Sequence, residues 1–372
     1  MDLDLTAEQE LLRETVRGLC SRHCDLAVVR GLEDDPVGYA PEFWRQLATL
    51  GLTGMTLPEE YGGSGMTMVD AAIVYTELGR ALAPSPHFVS SVVSGGILAA
   101  GGTETQKADW LPRIANGSAI VTAAWLEPGA GYGPAGITAT ARPDGDGWIV
   151  SGVKRHVAFA RAATRLLVLA RAADDVILLI VDPSARGVEL TQQTTIASDT
   201  QYRVDLDGVH VAGSDVVPGG WGLWSEVMHD AIVLAAAQAA GGARQALDIT
   251  VQYAKDRRQF DKPLGAFQAL AHYLADAATS VDGAETLVWE AAWARSTGRS
   301  TSRLAPMAKL FACRTFRDVT AMAQQIFGGV GFTVDYDIQL YFRRAKQLEL
   351  SWWDSRYLEE LVASDVLDRI GA

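Results

Sequence analysis

The chain has 372 residues, of which 48% are hydrophobic and 21% charged, a composition typical of a globular protein with a sizeable buried core. Its formal net charge of −13 argues against a nucleic-acid partner, because polyanions attract basic surfaces. A phosphate-bearing small ligand is not excluded, since a local basic pocket can lie on an acidic protein.

The first part of the chain, 1–118, is predicted to be helical. Apolar residues recur at nearly helical spacing over Leu5–Leu19, and Thr6 followed by acidic residues is a plausible helix start. Further helices are predicted near Met68–Leu82 and Thr105–Ala115. The stretch 57–67 is rich in proline and glycine and is predicted to be a loop between helices.

The middle part, 119–219, has the pattern of β-strands. Over 137–160 polar and apolar residues alternate around an Asp-Gly-Asp-Gly sequence, which predicts a β-hairpin. Short apolar runs predict further strands at Arg165–Ala172, Asp175–Val181 and Leu206–Val211.

The last part, 220–372, is predicted to be helical again. The segment Ala231–Ala254 is apolar on nearly every side, as in the interior of a helix bundle. The order of helices, strands and helices predicts a mainly α fold with a β domain. The other predicted helices are Ala284–Ala294, Arg303–Phe327 and Leu348–Leu367.

The cysteines and the N-terminus indicate the compartment. Cys20, Cys24 and Cys313 are too few for a disulfide framework, so we expect buried thiols and no metal site. The N-terminal stretch is acidic and amphipathic, unlike a signal peptide, and no apolar run is long enough to span a bilayer. We therefore expect a protein with no membrane span, in the cytoplasm by default.

Several short motifs occur in a fixed order along the chain. They are LPEEYGGSGMT at 57–67, TETQKADWLPRIANG at 103–117, EPGAG at 127–131, YAKDRRQFDKPLGAFQ at 253–268, and QIFGGVGFT at 325–333 running into RRAK at 343–346. Together these motifs are far more specific than any one alone, and in this order and at this spacing they resemble the acyl-CoA dehydrogenase family across almost the whole chain.

The resemblance implies a fold and a chemistry. The fold would comprise an N-terminal helical domain (1–118), a middle β-barrel-like domain (119–219) and a C-terminal four-helix bundle (220–372). The reaction would be the α,β-dehydrogenation of an acyl-CoA thioester, in which a glutamate removes the α-proton and a hydride passes to FAD. FAD would lie between the subunits of a dimer, with its adenosine-diphosphate half held largely by the neighbouring subunit.

One set of residues matches the family positions that contact the adenosine-diphosphate half of FAD. An arginine offers a fork of donors to a pyrophosphate, an aromatic ring offers a stacking face, and glycines let the backbone approach a ligand. The alternative is that the arginine pairs with a nearby carboxylate and the glycines only end a helix. The residues are Arg257, Gln259, Phe260, Phe267, Gln268, Gln325, Gly328 and Gly329.

The residues expected beside the flavin ring depart from the family pattern. Leu126 replaces the hydroxyl residue before EPGAG, and Tyr132 replaces the serine after it. Where the family has Trp-x-Thr, this chain has His156-Val157-Ala158, and an alanine side chain cannot donate a hydrogen bond. His156 is expected to be a partner of nearby polar groups rather than a catalytic residue.

The catalytic base is also missing from its family positions. The usual glutamate position corresponds to Trp352, and the alternative position on the long helix corresponds to Ala231. The nearest carboxylates are Asp230, Asp354 and Glu349. An offset of one residue turns a helical side chain by about 100°, so each is a weak candidate for the base.

The pattern of retained and altered residues favours a heteromeric enzyme. This subunit would complete the FAD site of a catalytic acyl-CoA dehydrogenase homologue in a dimer or tetramer, and it resembles the base-lacking subunits of actinobacterial α2β2 enzymes that degrade steroid side chains. An electron-transfer flavoprotein or a similar acceptor would take the electrons. Two alternatives stay open: a self-sufficient homomeric dehydrogenase or oxidase variant with a displaced base, and a non-enzymatic acyl-CoA-binding module.

Overall fold

The computed structural model describes residues 4–367, which pack into two compact units whose segments alternate along the sequence. The predicted domain boundaries near residues 118 and 219 divide the chain into consecutive segments, whereas each of these units combines segments from different parts of the chain. The predicted boundaries therefore stay a prediction. The helical unit consists of the residues up to Val29, Met68–Ala83 and the residues from Ile232 onward, and the sheet unit consists of Arg30–Thr67 and Pro84–Ala231.

The N-terminal part of the chain is helical, as predicted. Its α-helices are α1 (Ala7–His23), α2 (Leu26–Gly31), α3 (Pro41–Thr49), α4 (Met68–Arg80), α5 (Gly95–Gly101) and α6 (Glu104–Ala115), with a π-helix at Phe88–Ser94. The Thr6 hydroxyl accepts a hydrogen bond from Gln9 N–H at 3.2 Å, and the Gln9 side chain accepts one from Thr6 N–H at 3.1 Å. This capping box satisfies amides at the helix start and confirms the predicted beginning of α1.

The sheet unit contains an eight-stranded sheet. Its strands are β1 (Val121–Ala124), β2 (Thr140–Asp144), β3 (Gly147–Ala158), β4 (Arg165–Ala172), β5 (Asp175–Val181), β6 (Val188–Gln193), β7 (Gln201–Ala212) and β8 (Val216–Val217). The strand order is β6-β7-β3-β2-β4-β5-β8, and β1 pairs with β4 in parallel. Asp144 lies opposite Gly147, which confirms the hairpin predicted around the Asp-Gly-Asp-Gly sequence.

The C-terminal part is again helical. It comprises α7 (Gly220–Asp256), the short strands β9 (Arg258–Gln259) and β10 (Lys262–Pro263), α8 (Gln268–Ser296), α9 (Leu304–Phe327), α10 (Ile338–Leu350) and α11 (Ser355–Leu367). This order of elements confirms the predicted mainly α fold with a β domain. Within residues 4–367, no helix combines the length and the apolar character that crossing a membrane requires.

The prediction of one helix over Leu348–Leu367 is wrong. Helix α10 ends at Leu350 and α11 begins at Ser355. Between them Trp352 and Trp353 have φ angles of 53° and 73°, in the left-handed region that side chains other than glycine rarely adopt. The apolar pattern continues through the break, so spacing alone did not reveal it.

The three cysteines are buried thiols, as expected. Cys20, Cys24 and Cys313 are exposed by only 3%, 1% and 2%. Burial raises the pKa of Cys24 to about 12, so its thiol stays protonated at neutral pH.

Candidate functional site

Two of the predicted FAD-contacting segments follow helix ends that pack together. Near the end of α7, Tyr253 stacks on Phe327, the last residue of α9, with ring centroids 4.0 Å apart and planes inclined by 12°. Tyr336 meets both rings edge-on, at centroid distances of 6.4 and 5.9 Å. The aromatic cluster therefore holds the RRQF segment beside the glycine turn that follows α9.

Arg257 lies at the point where α7 gives way to the β9–β10 hairpin. Its N–H donates to the Tyr253 carbonyl and its carbonyl accepts from Leu264 N–H, both at 2.8 Å, so the backbone is fixed on both sides. The residue is exposed, and among residues 4–367 no carboxylate forms an ion pair with its guanidinium. The internal ion pair that sequence reasoning left as an alternative is thus not formed by the described residues.

The hairpin presents aromatic faces to solvent. Phe260, at its tip, has a φ of 51° and is 87% exposed. Its ring meets Phe267 edge-on at 6.3 Å, and Lys262 Nζ lies 4.3 Å from the centre of the Phe267 ring. Gln259 and Gln268 flank this group and are exposed. A cation, two rings and two amides therefore lie on one accessible surface.

The glycine turn after α9 has open space over its backbone. Gly328 has φ 66° and ψ −144°, a conformation that side chains other than glycine rarely adopt. A Cβ atom built on Gly328 or on Gly329 would meet no described atom within 4 Å. Both glycines and Gln325 on the last turn of α9 are exposed. This arrangement fits the approach of a ligand to the backbone, as the FAD role requires.

The EPGAG loop of the sheet unit is anchored by a buried ion pair that sequence reasoning missed. Glu127 is 3% exposed and accepts a hydrogen bond from Lys154 Nζ at 2.5 Å, while Thr138 and Ala139 donate their N–H groups to it at 3.0 Å. Burial lowers the pKa of Lys154 to about 8, against the opposing effect of Glu127. In the sequence, the only indication of this ion pair is a lysine at a position of β3 that faces inward.

Aromatic rings fill the region around the two altered hydroxyl positions. Trp125 precedes Leu126, and its ring centroid lies 5.8 Å from that of Tyr132 and 5.3 Å from that of Trp224. Trp224 is completely buried and Trp125 is 6% exposed. The loop that would carry hydroxyl donors in the family therefore carries an apolar and aromatic cluster here.

His156 is held by two glutamine side chains. Its backbone N–H donates to Gln193 Oε1 at 2.9 Å, and its ring Nδ1 lies 2.7 Å from Gln201 Oε1. The residue lies at an irregularity in the β3–β7 pairing and has a φ of 54°. Next along β3, the Ala158 carbonyl accepts a hydrogen bond from the Thr122 hydroxyl at 2.7 Å. His156 is thus a partner of neighbouring polar groups, as its sequence context suggested.

Two of the three carboxylates that the sequence offers as weak candidates for the base are bonded within the chain. Glu349 is 6% exposed and accepts hydrogen bonds from Arg317 Nη1 at 2.5 Å and Lys346 Nζ at 2.6 Å. The Asp354 carboxylate accepts from Tyr357 N–H at 2.9 Å and caps the start of α11. These contacts give both carboxylates structural roles.

The two positions that the sequence resemblance assigns to the base carry no proton acceptor. Ala231 is completely buried on α7, and Asp230 precedes it as a half-buried residue. Trp352 lies in the break between α10 and α11 with an indole in place of a carboxylate. Neither a methyl group nor an indole can accept an α-proton.

Lys309 fixes the segment that contains Trp352. This lysine is 1% exposed, and its Nζ donates to the carbonyl oxygens of Leu348 at 3.2 Å and Trp353 at 2.9 Å. Burial lowers the pKa of Lys309. Sequence reasoning missed this residue, because a lone lysine in an apolar helix does not identify the carbonyls that it bonds.

Comparisons with known proteins agree with the fold. The models for the N-terminal, middle and C-terminal domains of acyl-CoA dehydrogenases match residues 6–118, 122–209 and 219–351. A protein of Mycolicibacterium smegmatis named acyl-CoA dehydrogenase IpdE2 is 32% identical over 345 residues, which cover 92% of this chain and 93% of that protein.

Two solved structures are similar over nearly the whole chain. A variant of the Tcur3481-Tcur3483 steroid ACAD has a TM-score of 0.89 at 31% identity and covers 98% of this chain and 99% of its own. The ChsE4-ChsE5 complex from Mycobacterium tuberculosis has a TM-score of 0.88 at 27% identity and covers 100% of this chain and 98% of its own.

Proposed function

The chain belongs to the acyl-CoA dehydrogenase family, whose enzymes are FAD-dependent oxidoreductases, and from this premise we propose that it is a non-catalytic subunit that completes the FAD site of a catalytic homologue. The observation that carries the proposal is an imbalance between two sets of residues. Groups suited to hold a dinucleotide are present and accessible, whereas groups needed beside a reacting thioester are replaced or already bonded.

The dinucleotide-holding groups lie on the exposed surface around the β9–β10 hairpin and the glycine turn. We assign the Arg257 guanidinium to the pyrophosphate of FAD, because it is exposed and pairs with no carboxylate of residues 4–367. Gln259, Phe260, Phe267 and Gln268 would contact the adenosine half beside it. The same role is proposed for Gln325, Gly328 and Gly329, and the space over the backbone of the two glycines is open.

The catalytic groups are lacking at the corresponding positions. Ala231 and Trp352 cannot remove a proton, Glu349 is bonded to two cations, and Asp354 caps a helix. FAD, when bound, supplies the acceptor for the hydride that leaves the β-carbon. Asp230, the remaining candidate, is half-buried beside Ala231, and in this proposal it does not act as the base. The chain would then contribute to that chemistry only by binding and orienting FAD for the partner.

The similar structures support a heteromeric arrangement. Their names give two components each, Tcur3481-Tcur3483 and ChsE4-ChsE5, and the first is a steroid ACAD. We extend both features to this chain: its partner would be a base-containing homologue, and the substrate class would be CoA thioesters of bulky acyl groups. An electron-transfer flavoprotein would be the electron acceptor.

Co-expression with a base-containing acyl-CoA dehydrogenase homologue tests this function. We expect the chain alone to be inactive with acyl-CoA, and the assembled complex to contain one FAD for every two chains. Flavin absorbance of the purified complex measures its FAD content, and the reduction of a dye in the presence of acyl-CoA measures its activity. A homomeric preparation with one FAD per chain and acyl-CoA-dependent dye reduction would contradict the proposal.

Replacing the proposed pyrophosphate ligand tests the FAD role in the same complex. Arg257→Gln should weaken FAD binding by about tenfold or more, because it removes a charge-assisted hydrogen bond. Lys255→Gln is the matched control, since it removes an exposed positive charge two residues earlier. Equal FAD loss from both variants would indicate a general charge effect instead.

A further inference from the structure

The tip of the β9–β10 hairpin has a strained backbone. The loop between the two strands consists of Phe260 and Asp261, whose φ angles are 51° and 66°. Two positive φ angles in a two-residue loop are typical of a type I′ turn, in which Asn-Gly is a preferred pair. For a bulky aromatic residue such a φ angle is an outlier, and it persists only where the surrounding structure holds it.

The strained residue also carries an exposed aromatic ring. The Phe260 side chain is largely exposed, and its ring meets only the edge of Phe267 among the aromatic contacts of residues 4–367. Exposure of a phenyl ring and a left-handed backbone are both unfavourable in the chain by itself. Strained conformations of this kind cluster at ligand-binding sites, so the turn is suited to present the ring to a ligand.

The side chain of Arg258 bonds the backbone of this tip. Its Nη2 donates a hydrogen bond to the Asp261 carbonyl at 2.7 Å. Arg258 is the first residue of β9 and Asp261 is the second residue of the loop, so the bond ties the tip back to the start of the hairpin. The Gln259 side chain donates to the Arg258 carbonyl at 2.8 Å and adds a second bond within the same segment.

Two neighbouring arginines therefore differ in what their guanidinium groups contact. The Arg257 guanidinium forms no ion pair with a carboxylate of residues 4–367, and the proposed function assigns it to the pyrophosphate. The Arg258 guanidinium donates to a carbonyl of its own hairpin. A hydrogen bond from a charged donor is stronger than one between neutral groups, so it can hold a strained turn.

The base of the hairpin is fixed by contacts that do not involve the Arg258 side chain. The Arg257 carbonyl accepts a hydrogen bond from Leu264 N–H at 2.8 Å, and Lys262 Nζ lies 4.3 Å from the centre of the Phe267 ring. These contacts join the hairpin to the end of α7 and to the start of α8. Loss of the Arg258 hydrogen bond should therefore loosen the tip and leave the base of the hairpin in place.

We propose that Arg258 is a positioning residue for FAD binding, because its hydrogen bond to Asp261 holds the strained turn that presents the Phe260 ring. This inference rests on the proposed FAD role of the hairpin and adds a residue that acts through the turn rather than by contact with FAD. Without the bond the tip relaxes to other conformations, and FAD has to order it again on binding, which lowers the affinity.

Titration with FAD of the flavin-free complex with the catalytic homologue tests this role. Arg258→Gln should weaken FAD binding by about fivefold, through loss of one charge-assisted hydrogen bond. Asp261→Gly should restore most of the affinity of Arg258→Gln, because glycine adopts a positive φ angle without steric cost. Relief of strain in the turn could not replace a direct contact with FAD. Arg22→Gln, which removes an exposed positive charge from α1, is the control and should bind FAD normally.

Hydrogen exchange of the full chain without FAD separates this inference from the FAD role itself. Over residues 257–264, amide exchange should be faster in Arg258→Gln, by about twofold or more, and Asp261→Gly should reverse the change. The inference fails if exchange is unaltered, if Asp261→Gly does not restore the FAD affinity, or if Arg257→Gln weakens FAD binding and Arg258→Gln does not. If exchange responds as expected but neither arginine variant alters the FAD affinity, the proposed FAD role of the hairpin fails, and the positioning role fails with it.

Discussion

Glu127 and Lys154 illustrate how a short motif depends on a distant residue. The carboxylate of Glu127 in EPGAG is not available for chemistry, because a buried ammonium and two backbone amides already donate hydrogen bonds to its oxygens. Burial raises the pKa of Glu127, but the charge and hydrogen bond of Lys154 outweigh this effect and lower the pKa overall. The pair therefore serves to hold the loop rather than to move protons.

Removing one member of this pair should be far more costly than removing both. Lys154→Met leaves a buried carboxylate without its counter-charge, so we expect a loss of about 3–5 kcal/mol in the free energy of unfolding. Glu127→Gln combined with Lys154→Met should recover much of that loss, since no isolated charge remains. Denaturant unfolding monitored by tryptophan fluorescence measures the free energy of unfolding of both variants. Equal destabilisation by the single and the double variant would show that the isolated charge is not the cause of the lost stability.

At the scale of elements, the break between α10 and α11 is the feature that apolar spacing could not predict. One contact at the break comes from a distant segment, from Lys309 Nζ to the Trp353 carbonyl, and one is local, since Asp354 caps the next helix. The apolar spacing favours a continued helix, and the contact from Lys309 together with the local cap overrides it.

Asp354 can be tested as a cap and as a base with two substitutions. Asp354→Asn keeps a side-chain oxygen that can cap α11, so stability and the turnover of the assembled complex should both be unchanged. Asp354→Ala removes the cap and should lower the free energy of unfolding by about 1 kcal/mol, again without loss of turnover. Thermal unfolding and dye reduction by acyl-CoA give the two readouts. Loss of turnover in Asp354→Asn would instead support the displaced-base alternative.

At the scale of the whole molecule, the elements that could be predicted from the sequence are those in which apolar residues recur at a regular spacing. Long amphipathic or apolar helices such as α1, α7 and α9, and the β2–β3 hairpin, were all recognisable from local patterns. The four-residue strand β1 has no alternation and is recognised only through its pairing with β4. The ion pairs Lys154–Glu127 and Arg317–Glu349 join residues far apart in sequence, so they could not be inferred from one segment alone.

The exposed apolar side chains of the helical unit indicate where a partner subunit would bind. Phe260 is 87%, Phe332 72% and Val334 74% exposed, and all follow the helix ends joined by the Tyr253–Phe327 stack. Isolated exposed apolar residues are ordinary, but several on neighbouring segments are typical of an interaction surface. In the proposed heteromer this surface would be covered together with FAD.

Phe332→Ser should therefore weaken association with the catalytic homologue. Loss of a buried phenyl group costs about 1.5–3 kcal/mol, which corresponds to a dissociation constant raised by about tenfold or more. Sedimentation velocity of the mixed subunits at saturating FAD measures the change. Leu11→Ser is the control, because Leu11 is an apolar residue of α1 that is 65% exposed and lies outside this surface. If the two variants associate equally well, the partner binds elsewhere, since only a residue covered in the complex can alter its dissociation constant in this way.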